Sequence, residues 1–166
     1  MDYLWSPWRF QYTSKANGPV ACIFCEKAAQ RADEDNLIVH RAAHTFVILN
    51  LFPYTTGHLM VVPYDHVSSL AAAKDEALTE MILLTKFAQA KLSEIYSPHG
   101  LNIGMNLGES AGAGIAGHIH MHVLPRWAGD TNFMSTIAET RVLPEELPVS
   151  LARLRAVFLG GEPAAL

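Results

Sequence analysis

Three histidines occupy alternate positions in Gly117-His118-Ile119-His120-Met121-His122-Val123-Leu124-Pro125-Arg126-Trp127. On an extended strand successive side chains point to opposite faces. His118, His120 and His122 would then share one face at spacings of about 6–7 Å, with Ile119, Met121 and Val123 packing inward on the other. Burying three imidazoles without partners is costly, so a purely structural role fits this pattern badly. Two chemistries stay open. Three imidazoles could hold one catalytic zinc with a water in the fourth position. Alternatively, a neutral imidazole could attack an electrophilic phosphorus while its neighbours supply hydrogen bonds and a proton. At its ordinary pKa of about 6.5, imidazole is largely neutral near pH 7 and attacks without a strong base. No acidic residue lies between Gly117 and Arg126 to serve as base beside a catalytic metal, which counts against the metallohydrolase.

The segment feeding this run, Gly108-Glu109-Ser110-Ala111-Gly112-Ala113-Gly114-Ile115-Ala116-Gly117, holds four glycines among ten residues. Glycine permits positive φ and close approach of backbone N–H groups to an anion, so the loop reads as a phosphate cradle ahead of a nucleophile. The only cysteines, Cys22 and Cys25, have the spacing of a zinc-binding pair, although two thiolates do not complete a structural site. Unmetallated thiols or a redox pair are the competing readings.

These residues need a scaffold. The chain has 166 residues, half of them hydrophobic and 17% charged, which fits one domain with a sizeable core. Residues 1–20 read as an arm carrying Trp5, Trp8, Phe10 and Tyr12, aromatics that call for burial on the domain or on a second subunit. The pattern then predicts a short helix from Cys22 to about Arg31, strands at Leu37–His40 and Thr45–Leu51, a turn at Pro53–Gly57, and a strand from Gly57 stopped by Pro63. Leu78, Met81, Ile82, Thr85, Ala88, Leu92 and Ile95 recur at helical spacing, predicting a long helix over Asp75–Tyr96. A strand at Leu101–Leu107, with Leu101, Ile103 and Met105 on one side, is followed by the glycine-rich loop, the histidine strand His118–Leu124 and a last helix near Glu145–Leu159. Strands flanking one long helix make an α+β fold, divided as the arm, a core over 21–135, and a C-terminal helix and tail over 136–166.

The net charge of −4 and the lack of any Lys/Arg cluster argue against a nucleic-acid polymer as partner. No apolar run reaches the ~20 residues that span a bilayer, and the first residues do not read as a secretory signal, so a cytoplasmic protein is expected.

The triad followed by Val123-Leu124-Pro125-Arg126 resembles the histidine triad (HIT) superfamily of nucleotide hydrolases and transferases. The likeness spans residues 20–135, through Cys22-Ile23-Phe24-Cys25, Leu49-Asn50-Leu51, Gly57-His58 ahead of Pro63, and Asn102 to Asn106-Leu107-Gly108. The run Arg126-Trp127-Ala128-Gly129-Asp130-Thr131-Asn132-Phe133 is similar to the branch containing diadenosine tetraphosphate phosphorylases.

The resemblance implies a mostly antiparallel five-stranded sheet with the long helix packed on it, and a homodimer. It also implies cleavage of a dinucleoside polyphosphate through a covalent nucleotidyl-His120 intermediate, with phosphorolysis the first expectation and hydrolysis the second. A nucleotide-binding signalling module without turnover is the non-enzymatic alternative. His122 would hydrogen-bond the transferred phosphate, and His58 would orient the triad. Asn50 would hold the ribose, while Ile23 and Phe24 would wall the base. Asn106, Gly112, Gly114 and Ile115 would contact phosphate. Related hydrolases carry Gln or Ser near the place of Gly114 or Ile115, a side-chain contact lacking here. By analogy with bacterial relatives, His66 and His118 would join Cys22 and Cys25 around a structural zinc. No organic cofactor is implied.

Overall fold

The computed structural model describes residues 22–132, 135 and 143–160. The arm over residues 1–20 lies outside the described residues, as do 21, 133, 134, 136–142 and the tail over 161–166.

Five short strands form one antiparallel sheet: β1 (Ile38–Arg41), β2 (Thr45–Leu49), β3 (Leu59–Pro63), β4 (Gly100–Gly104) and β5 (Met121–Arg126). Their spatial order is β1-β2-β3-β5-β4. Among the described residues three α-helices accompany them: α1 (Ile23–Ala29), α2 (Asp75–Tyr96) and α3 (Leu147–Leu159). The α+β class and the five-stranded antiparallel sheet agree with the expectation.

Strand alternation divides the hydrophobic residues between two layers. Val39, Val47, Leu49, Leu59, Val61, Ile119 and Val123 point toward α2 and α3, where Met81, Leu84, Ala88, Leu92, Leu154 and Phe158 close the larger core. Ile38, Phe46, Ile48, Met60 and Val62 face the opposite way and bury Phe24 of α1. Met60 pairs directly with His122, and paired residues of an antiparallel ladder share a face. His58, two residues before Met60, and the triad therefore belong to the α1 side, while the helical side gives β3 and β5 a rigid backing.

Helix α2 has the limits its periodicity predicts, but its inward stripe is rotated from the expected one. Ile82 is exposed, while Glu80 and Leu84 are buried. The buried carboxylate is fully used: Glu80 accepts from the Ala43 and His44 backbone N–H groups at 3.1 and 2.8 Å and from the Thr45 hydroxyl at 2.7 Å. It thereby supplies acceptors for two backbone N–H groups of the turn between β1 and β2.

Several boundaries differ from the sequence reading. Helix α1 stops at Ala29 rather than Arg31, and β1 is displaced by one residue. Strand β2 ends at Leu49, and the Asn50 N–H bond to the His58 carbonyl at 3.0 Å, in register with the β2–β3 ladder, closes the base of the loop over 50–58. Strand β3 starts at Leu59, and β4 ends at Gly104 rather than Leu107. Ile103 faces the helical side with its partner Val123, yet it sits on the edge strand beyond the helices' cover and is 48% exposed. The histidine strand was expected at His118–Leu124; the ladder begins only at Met121. Ile119 N–H instead bonds the Val67 carbonyl at 2.8 Å, which draws His118 and His120 away from β3 while Ile119 still reaches the core. Helix α3 begins at Leu147, two residues later than expected.

Candidate active site

The histidines were expected to share one strand face with separate roles, and the structure surrounds each with different partners. His120 is buried, and its Nδ1 lies 2.8 Å from the His118 carbonyl oxygen. A carbonyl only accepts, so Nδ1 carries the hydrogen and the neutral ring keeps its lone pair on Nε2. Burial holds the His120 pKa below its ordinary value, outweighing the opposing pull of the carbonyl bond, and so favours this neutral form. The result is an imidazole of fixed tautomer with a nucleophilic nitrogen.

His122 has a complementary polarity. The Tyr54 backbone N–H donates to His58 Nδ1 at 3.2 Å, and the Asn50 amide nitrogen lies 3.4 Å from the same atom. Because Nδ1 of His58 accepts, its Nε2 carries the hydrogen, which points at His122 Nδ1 across 2.9 Å. His122 Nδ1 is thus an acceptor, and the neutral ring's own hydrogen lies on Nε2. The two rings stand edge to face, His120 to His122, at 4.9 Å. One offers a lone pair and the other an N–H.

Tyr54 was not singled out from the sequence. Its ring lies 4.8 Å from His58 and is stacked 6.2 Å from His122, so it buttresses both. Nothing in its local sequence signals this role, since the contacts to His122 cross from the loop over 50–58 to β5. On the other side of His122 the paired residue of β4 is Gly104, and a Cβ there would meet nothing within 4 Å. The edge of the triad face beside His122 is therefore uncovered by any side chain at that position.

His118 turns elsewhere. Its Nε2 bonds the Pro63 carbonyl at 2.9 Å, so its Nδ1 carries the lone pair, 3.3 Å from the Cys22 sulfur and 3.6 Å from that of Cys25. His66 Nδ1 approaches the Cys25 sulfur at 3.3 Å. Cys22, Cys25, His66 and His118 each place a ligand atom within 4.8 Å of the others. Both cysteines are free thiols. Burial and the adjacent Cys22 push the Cys25 thiol pKa up, a penalty on thiolate charge that a dication would reverse. Two sulfurs and two imidazole nitrogens at these separations are compatible with a closed tetrahedral zinc site, and the Pro63 carbonyl provides the outer partner that fixes a ligating imidazole. The three triad histidines do not converge on one point: among the described residues the metal-type cluster takes His118 alone of the three.

The remaining candidates lie around this pair of sites. Ile23 is 41% exposed, whereas Phe24 is only 3% exposed and packs beneath the His118 and His120 rings. Asn50 stands at the start of the loop over 50–58, its side-chain oxygen accepting from Phe52 N–H at 3.0 Å. Asn106 reaches the Gly112 carbonyl at 3.5 Å, tying the end of the β4 segment to the glycine-rich loop. Within that loop Gly108 and Gly112 use positive φ, at 82° and 90°. Gly114 is exposed, and Ile115 packs against the Phe24 cluster. Arg126 is held by both carboxylate oxygens of Asp130 and also donates to Asn102. Asp130 in turn accepts from Trp127 N–H and shapes the turn with Gly129 at φ 84°.

Comparison with known proteins agrees with this arrangement. The family profile for the HIT domain matches residues 31–129. The AP-4-A phosphorylase of Mycobacterium tuberculosis strain H37Rv is 41% identical over 155 residues, covering 89% of this chain and 79% of that protein. The asymmetrical bis(5'-nucleosyl)-tetraphosphatase of Schizosaccharomyces pombe is 26% identical over 124 residues, covering 75% of this chain and 64% of its own. Among solved structures, a zinc-bound histidine triad family protein from Mycobacterium smegmatis aligns with a TM-score of 0.68 at 27% identity, over 86% of this chain and 96% of that one. Profile, relatives and fold concur: the chain belongs to the HIT family.

Proposed function

We propose that this protein is an enzyme that cleaves a dinucleoside polyphosphate of the diadenosine tetraphosphate kind through a nucleotidyl-His120 intermediate. The reading is carried by the fixed tautomer of His120, whose Nδ1–H is bound to the His118 carbonyl at 2.8 Å while Nε2 keeps its lone pair. In the first step Nε2 attacks the α-phosphorus, a P–N bond forms, and the anhydride P–O bond breaks to release the distal nucleotide. Positive charge developing on the ring is shared with the His118 carbonyl through Nδ1–H. His122 Nε2–H donates a hydrogen bond to the phosphate oxygens, stabilising charge where it builds up. In the second step an acceptor oxygen attacks phosphorus and the P–N electron pair returns to Nε2.

The acceptor is inorganic phosphate by preference, a choice supported by the 41% identity to a phosphorylase; water is the second choice, after the tetraphosphatase relative. Ile23 walls the base, Asn50 holds the ribose, and Asn106 with the backbone of Gly112, Gly114 and Ile115 cradles phosphate. Structural zinc sits between Cys22, Cys25, His66 and His118, where it would fasten α1 to the segment entering β5. Two copies pair as a homodimer in the cytoplasm, consistent with the exposed edge strand β4 and its Ile103.

Product analysis decides the acceptor. Diadenosine tetraphosphate with inorganic phosphate should give ADP and ATP, whereas hydrolysis gives AMP and ATP. Label from the substrate should be trapped on His120 in an acid-labile linkage. A wild-type protein that binds the dinucleotide but never becomes labelled would instead favour the signalling module.

A further inference from the structure

We propose that Phe24 is a positioning residue for the nucleophile, a platform that joins the cysteine and histidine cluster to His120. The inference rests on the catalytic reading of His120 given above. Helix α1 has only seven residues and no side-chain bond at its N-cap, so it is not a self-supporting helix. It is located by what it packs against. Phe24 lies between Cys22 and Cys25, buried among Ile38, Phe46, Ile48, Met60 and Val62. Its ring meets His118 edge-on at 5.4 Å and His120 at 5.1 Å with a 52° tilt.

His118 closes the circuit. Its ring faces the two sulfurs, and its backbone carbonyl receives the His120 Nδ1–H. A half-turn of the His120 ring about its χ2 bond would break that hydrogen bond and carry Nε2 away from its present direction. Two contacts oppose the turn, the carbonyl of a cluster residue and the Phe24 ring held between the cluster's cysteines. At 3% exposure Phe24 has little surface left to offer a base, whereas Ile23 has 41%. The carbonyl hydrogen bond, with the aromatic contact holding the ring against it, is strong enough to favour one ring orientation by about tenfold.

The test uses Phe24→Leu in the protein purified with its metal, and reads three quantities. Zinc content should stay at the wild-type level. Turnover of diadenosine tetraphosphate with phosphate should lose about tenfold in kcat, with KM within about twofold, because orientation rather than binding is lost. In substrate-free protein the ring 15N signals of His120 should move toward an averaged position, while those of His58 and His122 stay in place. Stripping the metal from wild-type protein should displace the same His120 signals selectively, which serves as the second arm if Phe24→Leu does not fold. A raised KM with unchanged kcat would assign Phe24 to the base wall and overturn the proposal, as would His120 signals that do not respond in either arm. If the wild type turns over no dinucleotide, the proposed activity falls, yet the ring spectra still decide whether Phe24 and the cluster set the orientation of His120.

Discussion

Gly57→Ala should destabilise the fold by about 3 kcal/mol, and the structure supplies both parts of that figure. Gly57 has φ +75°, in the left-handed region where a side chain costs about 1–2 kcal/mol. A Cβ there would also lie 2.8 Å from Tyr96 Cε2 and 3.2 Å from Leu92 Cδ2, both on α2. Overpacking of this sort costs about 1–3 kcal/mol. For a chain of this size the sum corresponds to a fall of roughly 6–12 °C in Tm. Urea unfolding should show a lower midpoint with an unchanged slope. The two contributions separate in a double-mutant cycle. In a Tyr96→Leu background the ring clash is gone, so Gly57→Ala should cost about 1 kcal/mol less; loss of the Tyr96 hydroxyl bond to Glu145 is common to both Tyr96→Leu proteins and cancels. A cost under about 0.5 kcal/mol, or the same cost in both backgrounds, would refute the assignment of Gly57 as a close-approach glycine that lets the end of the loop over 50–58 lie against α2.

Three further outcomes are expected. His58→Leu fills an apolar-sized buried position but removes the N–H that His122 accepts, so kcat should drop by about 100-fold with KM little changed; a loss below threefold in steady-state assays would remove His58 from the relay. Cys22→Ser should bring zinc below half an equivalent per chain by metal analysis and lower Tm, and a Tm indifferent to chelator would dismiss a structural role for the cluster. The Arg126 guanidinium holds the Asp130 carboxyl at about 2, below the usual carboxylate value. A depressed carboxyl contributes stability above its unfolded pKa and loses it as pH falls toward its folded one, so the stability gap between wild type and Asp130→Asn should close between about pH 4 and pH 2; a gap that stays constant across that window would contradict the pairing.

Much of the site was legible because its information is local. Alternation separates His118, His120 and His122 from Ile119, Met121 and Val123, and the latter three do pack toward the larger core. The period of α2 marks both its ends at Asp75 and Tyr96. The spacing of Cys22 and Cys25 puts both sulfurs on one side of a helical turn, and the family likeness supplied His66 and His118, which the structure brings within reach of them. Less visible was the start of β5. It depends on where the Ile119 N–H finds its acceptor, and that acceptor belongs to Val67.

Which residue types could act, the class of the fold and the two faces of the histidine run are legible in the order of residues alone, because side-chain chemistry and backbone period are properties of neighbouring residues. The tautomer of each histidine, by contrast, follows from contacts made across the fold. Which imidazole nitrogen holds the proton is set by the His118 carbonyl for His120, by Tyr54 N–H through His58 for His122, and by the Pro63 carbonyl for His118. Hydrogen-bond polarity follows from which donor meets which acceptor in space. Three of those four contacts come from the loop over 50–58 and the end of β3, segments remote in the chain from the histidines they polarise.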